Sequence, residues 1–334
     1  MRKSLKASHV IEQHELLPVL ERLMSSDEAS VRYKTLTWLL DEEPSENAVE
    51  QEKVRTARSQ RVKTLLSERN SLGEIPVHPY KKWYGAHWVL AMLAELEYPA
   101  GDDSLIPLRE QVYRWLFSSS HERSIVKVEG KVRRCASQEG YALFYLLKLG
   151  LDDHLTDELA RRLIQWQWPD GGWNCDKRRE AGNSSFMESL IPMRGLVLYA
   201  SVRGESLSRD AALKASELFL KRRLFRKQSD GTIIHGDFLK LHYPCYWHYD
   251  ILFALTVLLE AGLLKDERCA DALDLLVSKW LSTGGFPAEK KYYSITDKKK
   301  SGRSLVDWGK ISKSMNEFVT VEALHVLKEA ERIK

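Results

Sequence analysis

Cysteine is scarce in this chain: four residues in 334, at positions 135, 175, 245 and 269. They lie far apart and without the close pairing of zinc fingers, which argues against a disulfide scaffold in a chain of this size. Free thiols or a long-range metal site are left. No apolar run approaches the roughly 20 residues that span a bilayer. Met1 to Lys6 leads into a charged amphipathic stretch rather than a signal-peptide core, so the expectation is a cytosolic protein without a transmembrane segment. Charge of one sign is lacking too. Fifty-one basic residues are scattered among 47 acidic ones for a net charge of +4, too mild and too mixed for a nucleic-acid binder. Strands with period-2 patterning between hairpin turns are missing. There is no Gly-x-Ser-x-Gly elbow, phosphate loop or dinucleotide fingerprint.

What is present is helical periodicity, ample apolar material (43%) and an unusual ten tryptophans. Five segments resemble one another, at residues 82–97, 137–149, 184–201, 246–261 and 314–329. Each begins with polar or aromatic residues and continues rich in Leu and small residues, as an inner helix would. Between them, residues 104–118, 156–167, 208–226 and 266–281 carry one apolar stripe and one charged face, as outer helices would. Gly turns at Gly73, Gly130, Gly171, Gly231 and Gly284 separate outer from inner helices, because glycine adopts positive φ without steric cost. Recurrence every 40 to 60 residues is an internal repeat of helical hairpins, units that bury their apolar faces only by stacking on neighbours. The pattern predicts one all-α domain over residues 1–334, an α/α toroid, with N-terminal helices in 1–70 and repeated hairpins in 71–334. Further helices are expected at 9–25, 29–41 and 48–68, with Asp27 and Ser45 as N-caps. The Lys-, Ser- and Gly-rich stretch 297–303 reads as a mobile loop.

Gln167-x-x-x-Gly171-x-Trp173, with Arg161-Arg162-Leu163-Ile164 before it, matches the QW motif of squalene and oxidosqualene cyclases. Trp280-x-x-x-Gly284-x-Phe286 is a degenerate second copy and Arg69-x-x-x-Gly73-x-Ile75 a weaker third. The chain thus resembles the terpenoid-cyclase and protein-prenyltransferase toroids, with their prenyltransferase and squalene-oxidase repeat. It looks most like their short, squalene-cyclase-like bacterial relatives. Physically the motif reads as a brace: the Gln amide caps backbone at a helix end while the aromatic ring covers the turn. The Asp-x-Asp-Asp acid of triterpene cyclases is absent, as is the Asp-Asp-x-x-Asp signature of magnesium-dependent prenyl chemistry. Asp102-Asp103 and Asp152-Asp153 are the nearest approximations, and both fall in connections between helices. A standard triterpene cyclase is excluded on these grounds and on length.

In a toroid the turns before the inner helices open at one end, which selects three candidate constellations. Cys135, Cys175, Cys245 and His248 offer the soft donors of a zinc site, with Asp250 and His242 near them. The resemblance adds that protein prenyltransferases hold zinc on corresponding helix ends. Trp83, His87, Trp88, Tyr141, Phe186, Tyr246 and Trp247 form an aromatic set suited to an apolar ligand or a carbocation. Glu139, Glu188, Asp250 and Glu317 stand near the starts of inner helices, where they suit acid/base chemistry; His248 and Asp250 are the preferred pair. Asn316 and His325 are secondary. Each set has a plain alternative: small buried cysteines, core aromatics and carboxylates that stabilise helix N-termini. The resulting expectation is a protein acting on or binding an isoprenoid or other apolar ligand in a central aromatic cavity. A carbohydrate-active toroid and a non-catalytic scaffold with the same ring are the alternatives. Substrate and oligomeric state are not legible.

Overall fold

The computed structural model describes residues 10–333, and they are mostly helical. In chain order the helices are α1 (Gln13–Met24), α2 (Ala29–Lys34, continued by a π-helical turn over Thr35–Leu39), α3 (Asn47–Ala57), α4 (Gln60–Leu66), α5 (Ala86–Glu95), α6 (Ile106–Leu116), α7 (Ser119–Ser124), α8 (Ser137–Lys148), α9 (His154–Trp166), α10 (Phe186–Arg203), α11 (Ser206–Leu220), α12 (Ile251–Glu260), α13 (Ala270–Val277) and α14 (Glu317–Glu329). Two small strand pairs interrupt them: β1 (Val126–Val128) with β2 (Lys131–Arg133), antiparallel, and β3 (Ser294–Ile295) with β4 (Arg303–Ser304), parallel. No helix among the described residues is long and apolar enough to cross a membrane.

Burial divides the helices into two kinds, and the sequence explains the division. α5, α8 and α12 are enclosed over the unbroken runs 86–94, 137–147 and 251–258, which requires neighbours on every side. α9 buries only Thr156, Leu159, Ala160, Arg162, Leu163 and Trp166, mostly one stripe at helical spacing, and leaves its other face in water. Accordingly α8 lies between α5 and α10, α10 meets α12, α12 meets α14, and α14 meets α2. Each of α5, α8, α10 and α12 also packs on the helix that follows it. α8 and α10 approach closely at Gly140, where an added Cβ would stand 2.6 Å from Pro192 Cα. N- and C-terminal parts also touch. Lys34 pairs with Glu322 at 2.6 Å, and Ile11 bridges Ile333.

The Gln167 turn has the brace geometry expected of it. Gln167, the C-cap of α9, donates from Nε2 to Gly171 O at 2.8 Å and to Ala211 O of α11 at 2.7 Å. Trp173 is buried and donates from Nε1 to Leu163 O at 2.9 Å, satisfying a carbonyl near the end of α9. Gly171 has φ +98°, and a Cβ there would meet Lys214 O at 2.2 Å. The degenerate copies sit alike: Gly284, after α13, presses on Val19 of α1, and Gly73, after α4, on Pro107 of α6. Arg22 adds a bond to Thr283 O at 2.9 Å.

Several boundaries differ from expectation, each for a local reason. Glu129 and Gly130 both take positive φ and form the tight turn of the β1–β2 hairpin, not a helix-to-helix turn. The segments expected as helix from 82 and 246 start later, at Ala86 and Ile251, so Trp83, Tyr246, Trp247 and His248 belong to the approaches. The expected helix 48–68 breaks where Ser59 turns to cap α4, accepting from Val62 N at 3.2 Å. Glu28 and Glu46, rather than Asp27 and Ser45, occupy the N-cap positions. The 297–303 stretch is irregular and is closed by β3 and β4. His9, the expected first helical residue, and Met1 to Lys6 lie outside the described residues.

Gln167→Ala removes both amide bonds while leaving the turn intact, so a loss of about 1–3 kcal/mol in urea unfolding is expected. Gly171→Ala is expected to cost more, since it adds backbone strain and a clash with Lys214 O. Unfolding free energies for both within about 0.5 kcal/mol of wild type would contradict the brace.

Candidate functional site

Cys135 and Cys175 reach one another through backbone pairing that precedes any side-chain chemistry. Arg133 forms a parallel bridge with Asn174, and Arg134 N donates to Asn174 O at 3.2 Å, so the two loops run side by side. Cys135 leads into α8; Cys175 follows the braced turn by two residues. Glu188, in the first turn of α10, accepts from Ser137 N at 3.1 Å with Oε2, joining the N-terminal ends of α8 and α10. Its Oε1 lies 3.6 Å from Cys175 Sγ. Both sulfurs and a Glu188 oxygen fall within 4.8 Å of one another, and all three residues are half-buried.

The two thiols titrate as a pair. The closeness of the two thiols lowers the Cys175 pKa below the ordinary thiol value and raises that of Cys135 well above it, with burial and Glu188 adding to the rise. Burial raises the Glu188 carboxyl as well, against the bonds from Ser137 and Cys175. Tyr80 and Lys82 complete the surroundings. Lys82 has its ammonium 4.6 Å from the Trp247 ring centre and no ion-pair partner among the described residues, and burial lowers its pKa against the charges of Cys135 and Glu188.

The remaining donors of the expected zinc set lie in a second place. Cys245 groups with His242 and Asp250, again within 4.8 Å, and not with Cys135 and Cys175. Asp250 is fully buried and its lone pairs are taken: it caps α12 by accepting from Phe253 N at 2.8 Å. It also accepts from His242 N at 3.0 Å and lies 2.6 Å from His242 Nδ1. That is a helix cap with a paired imidazole rather than a general acid facing a mouth. His248 is stacked between Tyr292 at 3.4 Å and Trp247 at 4.0 Å, and Nδ1 lies 3.3 Å from Cys245 O. Burial and the neighbouring His242 push its pKa down to about 3, which keeps it neutral.

Glu139 is wholly buried and bound to His121 Nε2 at 2.6 Å and Arg134 Nε at 3.3 Å, so it stands apart from Glu188 in an ion cluster of its own. The aromatic set divides too. Trp83 stacks on Tyr246 at 4.0 Å and meets Trp88 edge-on at 4.6 Å, while His87 and Tyr141 join the same buried cluster. Phe186 packs elsewhere, with Phe219, Phe238 and Tyr249. These rings are buried and pack on one another. His87 is fully enclosed, and desolvation lowers its pKa to about 3.

Between the buried helices sits a charge network that the sequence reading missed. Arg194 of α10 bonds Glu95 of α5 at 2.5 Å and Glu260 of α12 at 2.7 and 2.8 Å, over the Phe144 ring at 3.8 Å; Tyr141 adds a bond to Glu95 at 2.9 Å. The signal was available: Arg194 and Glu95 interrupt otherwise apolar helices. The adjoining enclosed cavity, lined by Glu95, Arg194, His242, Tyr243, Cys245 and Glu322 among others, measures about 30 Å³. Ligand pockets run to roughly 300–1,000 Å³, so this one suits water at most. None of the expected aromatic residues lines this cavity.

Acid should destabilise the protein through its enclosed histidines. His87 and His248 have folded pKa values of about 3 against 6.5 when free, so unfolding takes up protons between these limits. Stability is full above pH ~6.5 and falls as pH drops toward ~3. His87→Gln should flatten the slope of unfolding free energy between pH 6.5 and 4 by up to about 1.4 kcal/mol per pH unit; an unchanged slope would contradict a neutral buried His87. Asp250→Ala should cost about 3 kcal/mol or more in the same assay, from the lost cap and the orphaned His242. In comparisons with protein families, curated proteins and solved structures, no match to this chain was found.

Proposed function

We propose that the helices close into a double-walled α/α toroid of the terpenoid-cyclase and protein-prenyltransferase type, whose working site lies at its mouth. There Cys135, Cys175 and Glu188 bind a zinc ion, beside a place for an apolar ligand with an anionic head, such as an isoprenoid diphosphate. The ring reading is supported by the succession α5, α8, α10, α12, α14, α2 and by three turns that press α4 on α6, α9 on α11 and α13 on α1. The site reading is carried by one observation: two thiols on paired loops and a carboxylate in the first turn of α10 converge within 4.8 Å.

The donor set fits the metal. Two sulfurs and one carboxylate oxygen are ligands zinc accepts, and three protein ligands leave a fourth position open. When bound, zinc supplies a Lewis acid that binds and acidifies a group in that position. The protein's own part is to hold the donors: the Arg133–Asn174 pairing aligns the loops, and Ser137 N fixes the Glu188 carboxylate. Lys82, unpaired and half-buried, supplies positive charge for the anionic head, and Trp247 an apolar wall.

A second reading has its own support in the cavity beside Arg194, whose roughly 30 Å³ leaves no room for a chain: a scaffold with the ring but without a substrate. Metal analysis of purified protein should find about one zinc per chain, and Cys175→Ala should lose it; a metal-free wild type would overturn the zinc site. Native mass spectrometry with prenyl diphosphates and with oligosaccharides decides the ligand class. Adducts with the former alone are expected, and adducts with neither favour the scaffold.

A further inference from the structure

We propose that Cys135 and Cys175 are also a redox couple that exchanges with low-molecular-weight disulfides, closing to an intrachain disulfide. This rests on the same convergence of the two sulfurs as the zinc site, but not on the metal. The geometry is that of a poised dithiol. Both residues are half-buried and so reachable, both lie on loops rather than inside helices, and the Arg133–Asn174 bridge keeps the loops in register whichever state the sulfurs are in. The pair is also asymmetric in its surroundings: the Cys175 thiol points at Glu188 Oε1 at 3.6 Å, a carboxylate in place to take its proton. The other two cysteines lack such a partner. Cys245 contacts a backbone carbonyl at 3.8 Å, and Cys269 is fully buried with its thiol pushed up to about 12.

The step balances. Cys175 gives its proton to Glu188 and, as thiolate, attacks one sulfur of an external disulfide; a Cys175 mixed disulfide forms and one small thiolate leaves. Cys135 then gives its proton to that departing thiolate and attacks Cys175 Sγ. The Cys135–Cys175 bond forms and the second small thiolate departs, taking the proton from Glu188. Two protein thiols are oxidised and one external disulfide is reduced to two thiols. Since zinc requires both sulfurs as thiolates, closure of this bond and occupation by metal exclude each other.

The test treats full-length protein, stripped of metal with a chelator, with oxidised glutathione, then blocks remaining thiols and maps peptides by mass spectrometry. The expected product is one cross-link joining the peptides of Cys135 and Cys175, reversed by dithiothreitol, with Cys245 and Cys269 alkylated. Cys135→Ser should stop at a stable glutathione adduct on Cys175, and Cys175→Ser should react far more slowly. Adducts without a cross-link in wild type, or a cross-link through Cys245 or Cys269, would overturn the proposal. The metal reading stands or falls separately: a zinc-free protein that forms the cross-link refutes zinc alone, and a zinc-containing one that cannot refutes the couple alone.

Discussion

An all-round apolar helix can exist in water only if something covers every side of it, and three helices of this chain are of that kind. α5, α8 and α12 are enclosed along nearly their whole length, so they require both lateral neighbours and an outer layer. The amphipathic α6, α9, α11 and α13 each pack on the helix they follow. Most other features serve this arrangement. Gly140 lets α8 and α10 approach, Gln167 ties α9 to α11 while Trp173 satisfies a carbonyl near the end of α9, and Arg194 neutralises two carboxylates on neighbouring buried helices.

That constraint also decides where chemistry can sit. Charges between the buried helices are matched: Arg194 answers Glu95 and Glu260, and Lys34 answers Glu322. Removing either partner of such a pair leaves a desolvated charge, so these groups read as structural. The loops before α8 and α10 are under no such demand. They converge Cys135, Cys175 and Glu188 at two helix N-termini, where negative charge is favoured and solvent can reach.

Helix positions and the Gln167 brace were legible in the sequence, because periodicity and a seven-residue turn are local facts. The site was legible only in part. That Cys135 and Cys175 share a region followed from their placement before inner helices, but the distribution of partners did not. Cys245 and Asp250 turn to His242, and Glu139 turns to His121 and Arg134, through side-chain directions that depend on loop conformation. Glu188, expected as an acid, is a neighbour of thiols. The aromatic set splits into two buried clusters for a physical reason: large rings on enclosed segments gain by packing on one another.

The most direct measurement is X-ray absorption at the zinc edge of the purified, zinc-loaded full-length protein. A shell of two sulfurs at about 2.3 Å with lighter oxygen scatterers at about 2.0–2.2 Å is the expected result. A shell of nitrogen and oxygen alone, without sulfur, would contradict the thiol–carboxylate site at the helix ends.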